Sequence, residues 1–419
     1  MTTTDDAVSA ASPSAPERGP EAAVTAAGEG AGTDRLRVLM LVNAGGAFEP
    51  AWADAAATRV DLVRVRLGSE AAGTETGLAH LRRVPGAAGS YQLAVGPRRP
   101  RAAGVGARLG RALGRGRENR RLVRALARVQ ADEGPFDLLH GHFSASASRI
   151  TRGARALGVP YVITEHSTSF SGRNPANPLS RRGLARTRRA CAGAGAVIAV
   201  SEELERAMRS HGVEAAFHVL ANPVDTRIFG APAGLPAGPT IELTCVARLA
   251  QVKGHDLLLA AMADLRPELP QLRLTIVGGG PEADDLEGRA RRLGLAGIVT
   301  FAGRLPPDAV AERLRASHAF VLASRWENLS VAALEACITG LPCVLTRVGG
   351  LPEIQAEGLT FVEPDDLAGL TAAIRAVVTD LPDLATRRRR AESARGRYSV
   401  EAVGARLEQI YRQVLDRAG

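Results

Sequence analysis

One pattern constrains the fold more than any other. Short apolar runs rich in β-branched residues recur along the chain, separated by Ala- and Arg-rich segments of helical period. That alternation marks parallel strands joined by crossover helices. In the first half the runs fall at 36–42, 60–67, 91–95, 137–140, 161–164, 196–200 and 217–220, with helices such as 118–132 and 202–210 between them. Residues 230–239 then carry three glycines and three prolines, which no helix or inner strand tolerates. The alternation resumes at 241–246, 272–277, 299–301, 319–322, 343–345 and 360–362. Two doubly wound α/β domains facing one another across a cleft are predicted, with ligands beyond the carboxyl ends of the strands.

The expected boundaries are a tail at 1–34, a first domain at 35–229, a linker at 230–239, a second domain at 240–397 and a final helix at 398–419. The tail is Ala, Ser, Pro, Glu, Gly and Thr with almost no large apolar side chain, too little to offset the entropy of ordering. Aromatic residues are only 4% of the chain, which argues against a nucleic-acid binder built on base stacking. The four cysteines, Cys191, Cys245, Cys337 and Cys343, are too scattered for a disulfide framework or a zinc knuckle. The first residues hold Asp5 and Asp6 and no apolar block, and the run 192–200 is half the length of a bilayer span. A cytoplasmic protein is expected.

Of the 53 basic residues, one is a lysine, Lys253. It follows the strand 241–246, five residues after Arg248 and next to the start of a helix. Two cations so placed suit a diphosphate, and a helix N-terminus adds partial positive charge. After 272–277 come Gly278, Gly279 and Gly280, which let backbone approach a ligand or make a tight turn. After 319–322 come Glu327, Asn328, Leu329 and Ser330, then a helix carrying Glu335. Ser330 or Asn328 can cap that helix, and its free amides point toward the basic pair.

Arg248 with Lys253, the loop at Gly278, and Glu327-x7-Glu335 followed by Gly340-Leu-Pro342 resemble glycosyltransferase family 4, whose retaining enzymes use nucleotide-sugars and have the GT-B fold. Thr164-Glu-His166, Asn222-Pro-Val-Asp225, Gly349-Gly350-Leu-Pro-Glu353 and Tyr398-Ser-Val-Glu401 agree. The resemblance covers 36 to the C-terminus and is strongest over 240–355. It implies that the final helix returns to the first domain, that the second domain binds a UDP- or GDP-sugar, and that the first binds a glycan, lipid-linked or small-molecule acceptor. Arg248 and Lys253 would neutralise the leaving diphosphate, Glu335 would take ribose hydroxyls and Glu327 those of the sugar. Gly278 to Gly280 and Asn328, Leu329 and Ser330 would contact the donor, with Gly303 and Arg304 near the base. His166 would face the sugar as a catalytic residue, with Gly45, Gly46 and His142 on the acceptor side.

No Asp-x-Asp is present, so no metal and no cofactor are expected, and fixed cations with helix amides are left to hold the charge. His140-Gly-His142 with His166 lacks a convincing metal-ligand spacing. Where the family commonly has Glu-Gly-Phe-Gly, this chain has Glu327-Asn328-Leu329-Ser330, which leaves the donor sugar open; Asn222-Pro223 stands where Asn-Gly is common. Residues 98–128 hold eleven arginines and one acid, Glu118, a basic amphipathic segment suited to the anionic inner face of a membrane or to plain solvation. Alternatives are a nucleotide-sugar-binding protein without turnover, or a GT-B epimerase or phosphorylase. An NAD enzyme is disfavoured because no Gly-x-Gly-x-x-Gly opens a helix in the first half, and no nucleic-acid module accompanies the arginines.

Overall fold

The computed structural model describes residues 35–43, 49–68, 81–83, 89–94, 105–143, 146–170 and 180–419. The expected tail, Gly45, Gly46 and the start of the arginine-rich segment lie outside the described residues.

The first sheet contains β1 (Arg37–Asn43), β2 (Asp61–Gly68), β3 (Leu81–Arg83), β4 (Ser90–Ala94), β5 (Leu138–His142), β6 (Tyr161–Glu165), β7 (Ala196–Ala199) and β8 (Phe217–Val219), in the order β3-β4-β2-β1-β5-β6-β7-β8. All pairs are parallel except β3 with β4. Its helices are α1 (Glu49–Ala57), α2 (Val105–Glu133), α3 (Ala147–Leu157), α4 (Arg181–Ala192) and α5 (Glu202–Ser210). The long α2 extends the expected 118–132 by more than three turns. Strand β3 was not expected: it is three residues long, two of them arginine, and gives no apolar run.

The second sheet contains β9 (Ile241–Val246), β10 (Leu272–Val277), β11 (Val299–Gly303), β12 (Ala319–Leu322), β13 (Cys343–Thr346) and β14 (Leu359–Val362), all parallel, in the order β11-β10-β9-β12-β13-β14. With it come α6 (His255–Leu265), α7 (Ala283–Arg292), α8 (Pro307–Arg315), α9 (Val331–Ile338), α10 (Leu367–Thr379), α11 (Leu384–Tyr398) and α12 (Val400–Ala418). Strand β12, Ala-Phe-Val-Leu, is buried throughout, as an inner parallel strand covered on both faces must be.

The order in which successive strands are added switches to the other side of β1 at β1/β5, and to the other side of β9 at β9/β12. In doubly wound sheets the crevice at such a switch point takes the ligand. The residues leaving β5, β9 and β12 are His142, Arg248 with Lys253, and Glu327.

The chain returns to its first lobe at the end. Ser399 caps α12 by accepting from Ala402 N, and Val224 N donates to the Tyr398 carbonyl at 2.7 Å. Helix α12 lies on α1, where Gly404 admits the Ala55 carbonyl at a distance no side chain would allow. Tyr411 of α12 reaches His140 Nδ1 at 2.7 Å.

Candidate active site

Lys253 ends a short 3-10 turn, Gln251–Lys253, and Gly254 turns the chain into α6. Its ammonium pairs with Glu327 Oε1, and Ser324 Oγ donates to the same oxygen at 3.0 Å. The two residues are 74 apart in sequence and meet because β9 and β12 are neighbours. Arg325 holds the turn in place, a role that its loop position did not reveal. Its guanidinium forks onto Asp256 (2.9 and 2.9 Å), donates to the Gln251 carbonyl at 2.7 Å and reaches Asp365 at 2.7 Å. The Arg325 hydrogen bonds keep the Asp256 carboxyl below the usual carboxylate range.

Arg248 is exposed, and among the described residues its guanidinium has no ion pair. Its backbone is fixed by buried His255, whose Nε2 stands 3.2 Å from the Arg248 carbonyl. A carbonyl only accepts, so Nε2 carries the proton. Burial pushes the His255 pKa down.

The glycine loop has a structural explanation. A Cβ at Gly278 would collide with the Ala247 carbonyl, and one at Gly280 with Leu249 backbone, so these glycines let the β10 loop lie against the segment bearing Arg248. Gly303, the last residue of β11, has open space around its Cβ position, and the Arg304 side chain lies over Gly279.

Between Asn328 and Ser330, it is Ser330 that caps α9, accepting from Ala333 N at 3.3 Å. The first-turn amides of α9 have no partner within the helix, and they start beside Leu329 and Ser330. Glu335 sits one turn further on. Burial alone, with no hydrogen bond contributing, pushes its carboxyl up to about 7. The Asn328 side chain, expected at the donor, donates Nδ2 to the His166 carbonyl at 2.8 Å. Gly349, with φ +53, passes so close to Glu327 that a Cβ would collide with the Glu327 carbonyl.

On the first lobe the structure gathers His140, His142 and His166 around Trp52, whose indole makes edge contacts with all three rings. His142 Nδ1 and His166 Nε2 are 3.0 Å apart with the rings tilted by only 7°, so the two imidazoles are coplanar and joined edge to edge. His140 is fully engaged, by Tyr411 Oη and by Thr164 Oγ1 at 2.7 Å each. Trp52 Nε1 donates to Asn222 Oδ1 at 3.0 Å, which gives the Asn222 side chain a structural role. Burial lowers all three histidine pKa values, that of His142 to about 3, so the cluster is neutral. Among the described residues no group of three His, Cys, Asp or Glu is arranged to hold a metal ion. His166 thus turns its ring toward His142 and Trp52 and its carbonyl toward the second lobe. Sequence reasoning missed Trp52 and Tyr411, which are ordinary apolar positions in α1 and α12 outside every motif singled out.

Two family profiles match consecutive stretches of the chain: Glycosyltransferase Family 4 over residues 73–228 and Glycosyl transferases group 1 over residues 234–397. The chain belongs to glycosyltransferase family 4. Relatives include a phosphatidylinositol N-acetylglucosaminyltransferase subunit from Arabidopsis thaliana, 28% identical over 66% of this chain and 62% of that protein. A D-inositol 3-phosphate glycosyltransferase of Nocardiopsis dassonvillei is 31% identical over 59% of this chain and 63% of its own length. A glycogen synthase of Mycobacterium tuberculosis is 35% identical over 46% of this chain and 47% of its own length. The matches thus span about half to three-fifths of these curated relatives. In fold, the chain is similar to a sucrose-phosphate synthase from Thermosynechococcus elongatus, with TM-score 0.71 and 20% identity over 92% of this chain and 100% of that one. It is also similar to Anabaena Alr3699/HepE in complex with UDP and glucose, with TM-score 0.65 and 18% identity over 90% and 99%. The family 4 chain therefore has the GT-B architecture that its resemblance to the family implies.

Proposed function

We propose that this family 4 protein is a retaining transferase that moves a sugar from a UDP- or GDP-sugar to a hydroxyl of a glycan, lipid-linked or small-molecule acceptor, without a metal ion. The observation that carries the reading is the Lys253–Glu327 pair at the β9/β12 switch point, with Glu327 four residues before the start of α9, the helix that carries Glu335.

As the bond from the anomeric carbon to the phosphate oxygen breaks, negative charge grows on the diphosphate. Arg248, Lys253 and the first amides of α9 stabilise it; fixed donors of this kind are each worth roughly 2.7–4 kcal/mol. Lys253 trades its contact with Glu327 for the phosphates, and Glu327, still held at Oε1 by Ser324, presents its other oxygen to the sugar hydroxyls. Glu335 accepts from the ribose hydroxyls, while the Gly278–280 loop and Gly303 with Arg304 border the base. The acceptor hydroxyl attacks from the face the phosphate leaves, and its proton passes to the departing phosphate oxygen, so no enzyme nucleophile is required. His142 and His166 offer a neutral wall on the acceptor side, suited to hydroxyls rather than to charged groups.

The acceptor or an anionic membrane meets the first lobe at its basic face. Arg120 and Arg124 of α2 and Arg152 and Arg155 of α3 line a groove of about 500 Å³, and none of the four has an ion pair among the described residues. Among the described residues no helix is long and apolar enough to cross a membrane. Residence in the cytoplasm, peripherally on the inner face of the membrane, completes the proposal.

The test is transfer from a panel of UDP- and GDP-sugars. Lys253→Ala and Glu335→Ala are each expected to abolish most nucleotide release while the chain still folds, as circular dichroism would show. Near-normal release by both variants would refute the assignment.

A further inference from the structure

Two loops of the second lobe grip the first. Glu353 sends its carboxylate onto the N-terminus of α5, accepting from Glu202 N at 2.6 Å and Glu203 N at 2.7 Å, 150 residues away in sequence. A carboxylate there also meets the positive end of the helix dipole. Gly350 lies so close to Ser201 that a Cβ would press on that side chain, and its N–H donates to the Asn328 carbonyl at 2.9 Å. Asn328 is itself 7% exposed and donates Nδ2 to the His166 carbonyl. These contacts tie the loops 327–328 and 349–353 to the ends of β6 and β7.

Asn328 has a particular place among them. It follows Glu327 directly, and its partner is the main chain of His166, so a single hydrogen bond of 2.8 Å joins the two strand ends that face each other at the reacting centre. The partner is a carbonyl, which only accepts, so the contact requires a donor at position 328. A glycine, common there in the family pattern, has no side chain with which to make it, and an ionised Asp would set oxygen against oxygen.

We propose that Asn328 is a positioning residue that sets the separation of the two lobes at the reacting centre, through its bond to the His166 carbonyl. The inference rests on the transferase reading for its kinetic consequence and on geometry alone for its structural one. The bond spans the two lobes, so it is lost if they move apart. Steps that need both lobes therefore depend on it, and steps confined to the second lobe do not.

The test compares wild type with Asn328→Gly and Asn328→Asp. UDP and GDP are the probes of second-lobe binding, followed by calorimetry, and small-angle scattering of the ligand-free chain reports the separation. Nucleotide Kd is expected to stay within about twofold, while kcat falls about tenfold in Asn328→Gly, the worth of one hydrogen bond, and further in Asn328→Asp, where two acceptors face each other. The radius of gyration should rise in the same order. A wild-type kcat and radius in Asn328→Asp overturn the proposal, and so does a loss found wholly in nucleotide Kd, which would make Asn328 a donor contact. Should Asn328→Asp fail to fold, Asn328→Gly decides by the same two readouts. If wild type turns over no donor, the transferase reading fails and scattering alone decides whether the bond sets the separation.

Discussion

Glu335 offers a pH test of the donor site. Its carboxyl is pushed up to about 7 by burial alone, against an ordinary value of 4.5. In the free protein at pH 6 roughly one site in ten is ionised, and at pH 8 roughly nine in ten. A ribose diol donates two hydrogen bonds and is held best by the carboxylate, since bonds to a charged acceptor are worth about 1.5–3 kcal/mol against 0.5–1.5 for a neutral one. Binding therefore selects the ionised form. If only that form binds, the dissociation constant should weaken roughly tenfold from pH 8 to pH 6 and flatten above pH 8. Linkage also requires proton release, about half a proton per ligand at pH 7. The assay is calorimetry with an intact nucleotide-sugar and no acceptor, in buffers of different ionisation enthalpy. An intact donor is preferred to free nucleotide because a terminal phosphate itself titrates near pH 6. The stability sign runs the other way: a folded pKa raised above the unfolded one makes stability greatest below the unfolded value and erodes it as pH rises toward 7. Glu335→Gln should flatten both profiles. A pH-independent dissociation constant with no buffer dependence would refute the reasoning.

Two further outcomes are expected. Arg325→Met should lower stability by about 1–2 kcal/mol at pH 7 in denaturant titration, because a half-buried fork onto Asp256 is lost; the Asp256 pKa is depressed, so the difference from wild type should persist above the ordinary carboxylate range and shrink as pH falls through it. Equal loss at all pH values would contradict this. Gly349→Ala should cost about 2–4 kcal/mol, from a left-handed φ plus a clash with the Glu327 carbonyl, and a melting temperature equal to wild type would count against that contact.

Most of the fold was legible because parallel strands covered on both faces are rich in apolar and β-branched residues: β12 is apolar throughout, and β9 and β10 each carry four apolar residues among six. Strand β3 was not, since an edge strand of Leu-Arg-Arg has no such pattern. In the candidate site, Lys253, Glu327 and Ser330 could be singled out because each stands just past a strand or at a helix start, whereas Glu335, inside α9, was reached only through the spacing that resembles the family. The glycines at 278 and 280 were legible as glycines but not in purpose: chain-on-chain packing asks for the same residue as ligand approach. Contacts between distant segments were not legible at all. Nothing local to His140 points to Tyr411, 271 residues on, and nothing local to Glu353 shows that its carboxylate ends on α5 of the other lobe.

Nucleotide affinity under chelation tests the central claim most directly. With UDP and GDP titrated into wild type and Lys253→Met, in the presence and absence of EDTA, the better nucleotide should bind wild type equally well with and without chelator. It should bind Lys253→Met roughly a hundredfold more weakly, the worth of one charged hydrogen bond in a half-buried site. Binding that collapses on chelation, or a Lys253→Met chain that binds as wild type does, would contradict a diphosphate held by side-chain cations and helix amides.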